Sequence, residues 1–172
     1  MRIHIQNPLD DPLGPISPEK WQRAAARAGE AATGHIVTIA SDRPGFVAAI
    51  GDAEALITDK DVLGSLLPLH APRLRLLFIA NAGLDNLAPF DWLPPGVALL
   101  NNRGTHAAKA GEFGIMALLM LANRVAEMVT HQRAGRWRKV WGGLLAGRRL
   151  TVIGLGSLGG AVAEQAAGFG MG

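Results

Sequence analysis

Leu150-Thr151-Val152-Ile153-Gly154-Leu155-Gly156-Ser157-Leu158-Gly159-Gly160-Ala161-Val162-Ala163 joins a short apolar run to spaced glycines and an alanine-rich helical pattern. The run from Leu150 to Ile153 is apolar and β-branched, which predicts a buried parallel strand. Gly154, Gly156 and Gly159 follow at the G-x-G-x-x-G spacing. In that pattern the first glycine permits a tight turn and the second lets the backbone approach a pyrophosphate. The third lets the helix lie close to the strand. The helix start adds unpaired N–H groups and about half a positive charge. Gly154, Leu155, Gly156, Ser157, Leu158 and Gly159 are therefore the candidate cofactor-binding residues. The other reading of the same residues is a glycine-rich turn that packs a helix on a sheet and holds no ligand. The acid that would grip a ribose is expected about 20 residues further on, after a second strand. Beyond the helix start only Ala163–Gly172 remain, and the one acid there, Glu164, lies inside the helix. Half of a nucleotide site is written.

Working outward, the segment before this motif is basic. Arg133, Arg136, Arg138, Lys139, Arg148 and Arg149 fall between His131 and Leu150 with no acid among them, in a chain of 172 residues whose net charge is only +3. A nucleic-acid surface is one reading of such a run. Only Trp137 and Trp141 are interleaved, so a solvated connecting arm, or one pairing with acids of a partner subunit, fits better. No nucleic-acid partner is expected. Cysteine is absent, which excludes disulfides and thiolate-bound metal and suits a reducing compartment. The amino terminus meets Asp10-Asp11-Pro12 too early for a signal peptide. Phe113–Ala122, bounded by Glu112 and Arg124, is too short to span a bilayer. The expectation is a soluble, cytoplasmic protein with no membrane partner.

The remaining segments alternate. Arg2–Gln6 predicts a first strand, and 8–15 a turn-rich loop. Ser17-Pro18 opens a helix that runs to Gly29. His35–Ala40 is a second strand, Arg43–Ile50 a short helix, Ala55–Thr58 a third strand and Asp61–Leu67 another short helix. Arg75–Ala80 and Val97–Asn101 are strands four and five. Strands alternating with helices at this spacing argue for a parallel sheet covered on both faces. A long helix from about Thr105 to Thr130, with a broad apolar face, then leads to the glycine motif. A helix that crosses between two domains accounts for its length, with the boundary near Gly104.

The loop Asn81-Ala82-Gly83-Leu84-Asp85-Asn86 directly follows the fourth strand. Ligands of open parallel sheets bind beyond the carboxyl ends of the strands, and Gly83 would let N–H groups face outward toward an anion. An ordinary turn explains the spacing as well. The histidines (His4, His35, His70, His106, His131) are scattered and make no metal-ligand spacing, so no metal is expected. His106, just before the long helix, is the one near the expected cleft; an exposed residue at a helix start is its plainer reading.

Together these pieces resemble the D-isomer-specific 2-hydroxyacid dehydrogenases, which use NAD(H) or NADP(H). Asn81–Asn86 resembles that family's G-V-D loop. Asn101-Asn102-Arg103-Gly104 resembles its N-x-P-G, with Arg103 where proline is usual. Ala110-Gly111-Glu112 resembles its V-A-E, with Gly111 in place of alanine. Leu121-Ala122-Asn123-Arg124 is similar to the end of its long helix, and Gly135-Arg136-Trp137 to the arm that follows. Leu144–Arg148, Gly154–Gly159 and Phe169-Gly170-Met171 are similar to its L-x-G-K/R, G-L-G-x-I-G and F-G-M.

The resemblance implies a flavodoxin-like parallel-sheet domain over 1–104. Residues 105–172 would then hold a long crossing helix, an arm and the first β-α unit of a Rossmann domain. It implies NAD or NADP as cofactor, a small 2-hydroxy or 2-keto acid as substrate bound by the backbone of Ala82, Gly83 and Leu84, and a homodimer through the long helix and arm. Ala107 falls where a hydroxyl residue often lines the nicotinamide side. The family's catalytic histidine, glutamate and arginine lie beyond the glycine motif, so no catalytic residue is assigned within 1–172, and the chain alone is expected to be an inactive fragment. The competing expectation is a non-catalytic nucleotide-binding or dimerisation module derived from that family.

Overall fold

A computed structural model describes residues 1–10 and 15–172; the loop expected over 8–15 lies partly outside the described residues. Across it, Asn7 and Ile16 exchange two hydrogen bonds, Asn7 Nδ2 to Ile16 O at 3.2 Å and Ile16 N to Asn7 Oδ1 at 2.9 Å. The chain forms two compact units, Met1–Asn102 and Arg103–Gly172.

In the first unit β1 is Arg2–Gln6, α1 Pro18–Ala28, β2 Ile36–Ala40, α2 Arg43–Ile50 and β3 Ala55–Thr58. They are followed by α3 (Lys60–Leu66), β4 (Leu76–Ile79) and β5 (Ala98–Asn101). The strands are parallel and lie in the order β2-β1-β3-β4-β5, the flavodoxin-like order. The chain starts in the middle, steps outward to β2, then crosses back to β3 and works toward β5. Each helix begins where its sequence supplies an acceptor for a free first-turn N–H. Ser17 Oγ accepts from Lys20 N at 3.3 Å, Asp42 Oδ1 from Gly45 N at 2.8 Å and Asp59 Oδ1 from Asp61 N at 2.7 Å. Gly29, at φ 61°, ends α1 in the left-handed region that suits glycine.

Strand alternation builds a core on each face of the sheet. Leu56, Leu77 and Ile79 point to one side and bury Phe46 and Ile50 of α2 and Leu63 of α3. Ile3, Ile5 and Ala55 point to the other, with Trp21 of α1, Val37, Ile57 and Leu76 packed on them. His4 sits on the first of these faces, 1% exposed, in tilted contact with the Phe46 ring. Its Nδ1 lies 2.8 Å from Thr38 Oγ1 and its Nε2 3.1 Å from Gln6 Oε1. Burial holds the His4 pKa below its ordinary value, partly offset by these two hydrogen bonds.

The second unit contains α4 (Ala107–Ala122), α5 (Val125–Arg133) and α6 (Ser157–Gly168). The single helix expected from Thr105 to Thr130 is therefore two, meeting at 65°. Arg124 takes the left-handed conformation at φ 54° and pairs with Glu127, which also faces His131 Nε2 at 3.5 Å. The returning arm crosses at this break. Gly143 N donates to Ala122 O at 2.9 Å, and a Cβ on Gly142 would stand 2.9 Å from Asn123 Cα. In a continuing helix that carbonyl would accept from Ala126 N instead. Farther along, α4 packs on α6 with little clearance: a Cβ on Gly114 would lie 2.7 Å from a Val162 methyl. Among the described residues no single helix is long and apolar enough to cross a membrane; only α4 and α5 together reach the length, across their bend.

The strand expected at Leu150–Ile153 also differs. Leu150 N donates to Gly172 O at 2.8 Å and Gly172 N to Arg148 O at 3.0 Å, a short parallel pairing. Thr151–Ile153 has no ladder among the described residues, and Ile153 is 98% exposed rather than buried. Among the described residues this run pairs with Met171–Gly172, and the pairing reaches no further than Leu150.

Candidate functional site

In the second unit the glycine turn has three distinct local environments. Gly154 has φ 88°, a conformation that strains residues carrying Cβ. Gly156 has φ −74° and ψ −166°, and a Cβ there would meet no heavy atom within 4 Å. At Gly159 a Cβ would collide with the Gly154 carbonyl oxygen and lie 3.1 Å from a Val152 methyl. A positive-φ turn, an open position and a close helix contact thus fall at Gly154, Gly156 and Gly159 in that order. The first helical bond of α6 runs from Gly160 N to Gly156 O at 2.8 Å. The amides of Ser157, Leu158 and Gly159 precede it and have no intrahelical acceptor. Leu155 is 75% exposed and Leu158 half exposed, so the turn lies on an open surface. A hollow of about 570 Å³, lined by Met128, His131 and residues of the arm, does not reach it.

In the first unit the loop after β4 is anchored on three sides. Lys60 N donates to Asn81 Oδ1 at 2.8 Å, Asn102 N to Asn81 O at 3.1 Å, and Asn101 Nδ2 to Ala82 O at 2.7 Å. Leu87 N closes the far end on Leu84 O at 2.9 Å, within a short 3₁₀ turn at Asp85–Leu87 that periodicity does not reveal. No described group accepts from the amides of Ala82, Gly83 or Leu84. Gly83 is exposed, and Ala82 and Leu84 are half-buried. Such a loop can offer N–H donors to an anion. The braces Asn81, Asn101 and Lys60 are not legible from spacing, because each bond joins residues 19 to 21 positions apart.

His106 is exposed at the N-terminal edge of α4 and makes no side-chain cap bond; Ala107 opens that helix. Among the described residues no group of three His, Asp or Glu could hold a metal ion.

Comparison with known proteins gives a consistent answer. The profile of the D-isomer specific 2-hydroxyacid dehydrogenase NAD-binding domain matches residues 115–172. A glyoxylate reductase of Korarchaeum cryptofilum is 32% identical over 129 residues, covering 67% of this chain and 39% of the relative. A hydroxypyruvate reductase of Thermotoga maritima is 25% identical over 173 residues, 99% of this chain and 53% of the relative. Among solved structures, the D-isomer specific 2-hydroxyacid dehydrogenase of Xanthobacter autotrophicus Py2, in complex with NADPH and MES, superposes with a TM-score of 0.75 at 25% identity. That match covers 98% of this chain and 52% of the other. The chain thus spans about two fifths to a half of the length of these relatives. With the glycine turn and the parallel sheet in agreement, residues 115–172 match the NAD-binding domain of the D-isomer specific 2-hydroxyacid dehydrogenases, and the chain is similar to reductases and dehydrogenases of that family along its length.

Proposed function

We propose that these residues form the substrate domain and the opening of the cofactor domain of an NAD(P)-dependent dehydrogenase that interconverts a small 2-hydroxy acid and its 2-keto acid. The observation that carries the reading is the glycine turn, whose open position at Gly156 and unpaired amides at Ser157, Leu158 and Gly159 suit a pyrophosphate. Gly154–Gly159 would hold that group of NAD or NADP. When bound, the nicotinamide would exchange a hydride with the substrate carbon. The chain's own part is to bind and orient: the amides of Ala82, Gly83 and Leu84 receive the substrate carboxylate, held in place by the braced loop. Residues 1–104 serve the substrate and 105–172 the cofactor. This reading gives the proton transfer to none of the described residues, and the 172-residue chain is expected not to turn over by itself.

The same reading includes a homodimer and a cytoplasmic site of action. Phe113 and Leu121 of α4, and Trp137, Trp141 and Leu144 of the arm, all expose large apolar surface, which suits burial against a second copy.

Titration of the ¹⁵N-labelled chain with NADH tests the proposal. Weak, saturable shifts confined to the amides near 154–160 are expected. Glyoxylate should shift those of 82–84. The absence of both responses would overturn it, and NADH oxidation driven by glyoxylate would overturn the inactivity of the isolated chain. Tight NADH binding would favour a non-catalytic nucleotide-binding module.

A further inference from the structure

We propose that Asn101 is a positioning residue that aims the Gly83 N–H at the substrate carboxylate, an inference that rests on the carboxylate loop assigned above. Asn101 ends β5, opposite Ile79 of β4, and its side chain reaches past the end of β4 to the Ala82 carbonyl at 2.7 Å. That carbonyl and the Gly83 N–H belong to one peptide unit. A trans peptide is planar, so its C=O and N–H point in opposite directions. Fixing the carbonyl on Asn101 therefore turns the Gly83 N–H away from β5 and leaves it with no described acceptor. The preceding peptide is set by the same logic. Asn81 O accepts from Asn102 N at 3.1 Å, which sends the Ala82 N–H away from that contact.

Two consecutive amides are thus fixed through their own carbonyls by the end of β5, with no need for the loop to carry a helix or a charged side chain. At Gly83 a Cβ would come only within 3.4 Å of Asp85 Oδ2 and meet nothing else, so the space beside its N–H is open. The amide of Asn101 is the one side-chain brace on the Ala82–Gly83 peptide among the described contacts. Leucine matches its shape without its donor. Loss of the donor frees the peptide to rotate, and a rotated peptide presents its carbonyl to the carboxylate.

The test uses the ¹⁵N-labelled full chain and its Asn101→Leu and Asn101→Gln variants. The Gly83 N–H direction is read from residual dipolar couplings, and glyoxylate affinity from the Gly83 shift. In the parent, Gly83 should exchange rapidly with solvent deuterium; a protected Gly83 amide would overturn the proposal without any variant, even if Asn101→Leu failed to fold. In Asn101→Leu the Gly83 vector should reorient and the dissociation constant rise at least tenfold. The Lys60 amide, held by Asn81, should keep its shift, which a general loosening of the loop would not allow. Asn101→Gln, which keeps the donor, should recover part of the affinity. An unchanged Gly83 vector and affinity in Asn101→Leu would overturn the positioning role. A Gly83 vector that turns in Asn101→Leu, in a chain that never responds to glyoxylate, would uphold that role and sink the substrate assignment instead.

Discussion

Alanine at Gly156 separates a phosphate cradle from a turn that only packs. In the ligand-free chain the substitution should be mild. At φ −74° alanine is unstrained, and its Cβ would meet no heavy atom within 4 Å. Gly156 is the N-cap of α6, where alanine is poorer than glycine by roughly 0.5–1 kcal/mol. The reduced freedom of the unfolded chain returns about 0.4–1 kcal/mol. The net change stays within about 1 kcal/mol, a melting shift of a few degrees for a chain of this size. Gly159→Ala is the contrast. Its Cβ would run into the Gly154 carbonyl oxygen, which is backbone and cannot swing aside, and into a Val152 methyl. Overpacking of that kind costs about 1–3 kcal/mol. With NADH the decisive variant changes. A methyl at 156 stands in the open approach to the amides and should weaken binding at least tenfold, about 1.4 kcal/mol, in a protein that melts almost like the parent. Circular-dichroism melting and ¹⁵N titration with NADH read the two quantities separately. Parent-like NADH binding by Gly156→Ala would refute the cradle.

Three further outcomes follow from other parts of the molecule. Because the folded His4 pKa lies below its ordinary value, unfolding takes up a proton below about pH 6.5. Its stabilising share is complete above that pH and lost as pH falls through the lowered folded value. Urea unfolding from pH 7.5 to 5 should show this slope, and His4→Leu should flatten it; an unchanged slope would put the linkage elsewhere. Gly114→Ala would press a Cβ to 2.7 Å from Val162 and cost about 1–3 kcal/mol. Adding Val162→Ala should recover part of that loss in a double-mutant cycle, whereas strictly additive losses would deny the contact. If α4 carries the dimer, Leu121→Arg should move the sedimenting species from dimer to monomer, and identical sedimentation would remove α4 from the interface.

The strands of the first unit and the start of α1 were legible because they rest on local chemistry. Ala55–Thr58 is an apolar run bounded by turn residues, and Ser17-Pro18 supplies an acceptor and a preset φ, whereas the caps at Asp42 and Asp59 emerged only in the structure. The helix break was not legible. Leu121–Val125 contains neither glycine nor proline, and the left-handed Arg124, worth about 1–2 kcal/mol of strain, is offset by the arm returning over Ala122 and Asn123. Ile153 differs as well: its apolar, β-branched character is that of an interior strand, yet it is 98% exposed and no strand among the described residues pairs with it. The glycines of the turn were readable as a motif, but the loop braces Lys60 and Asn101 were hidden by long sequence separation.

Gly111 and Gly114 on α4 have a consequence for how the turn keeps its aim. With no side chain at either position, α4 and α6 meet at short range, Val162 and Gln165 occupying the vacated space. Interlocked surfaces of this kind resist both sliding and rolling. The N-terminus of α6 is therefore mounted as on a keyed shaft, and a bulky residue introduced at Gly111 or Gly114 would displace it.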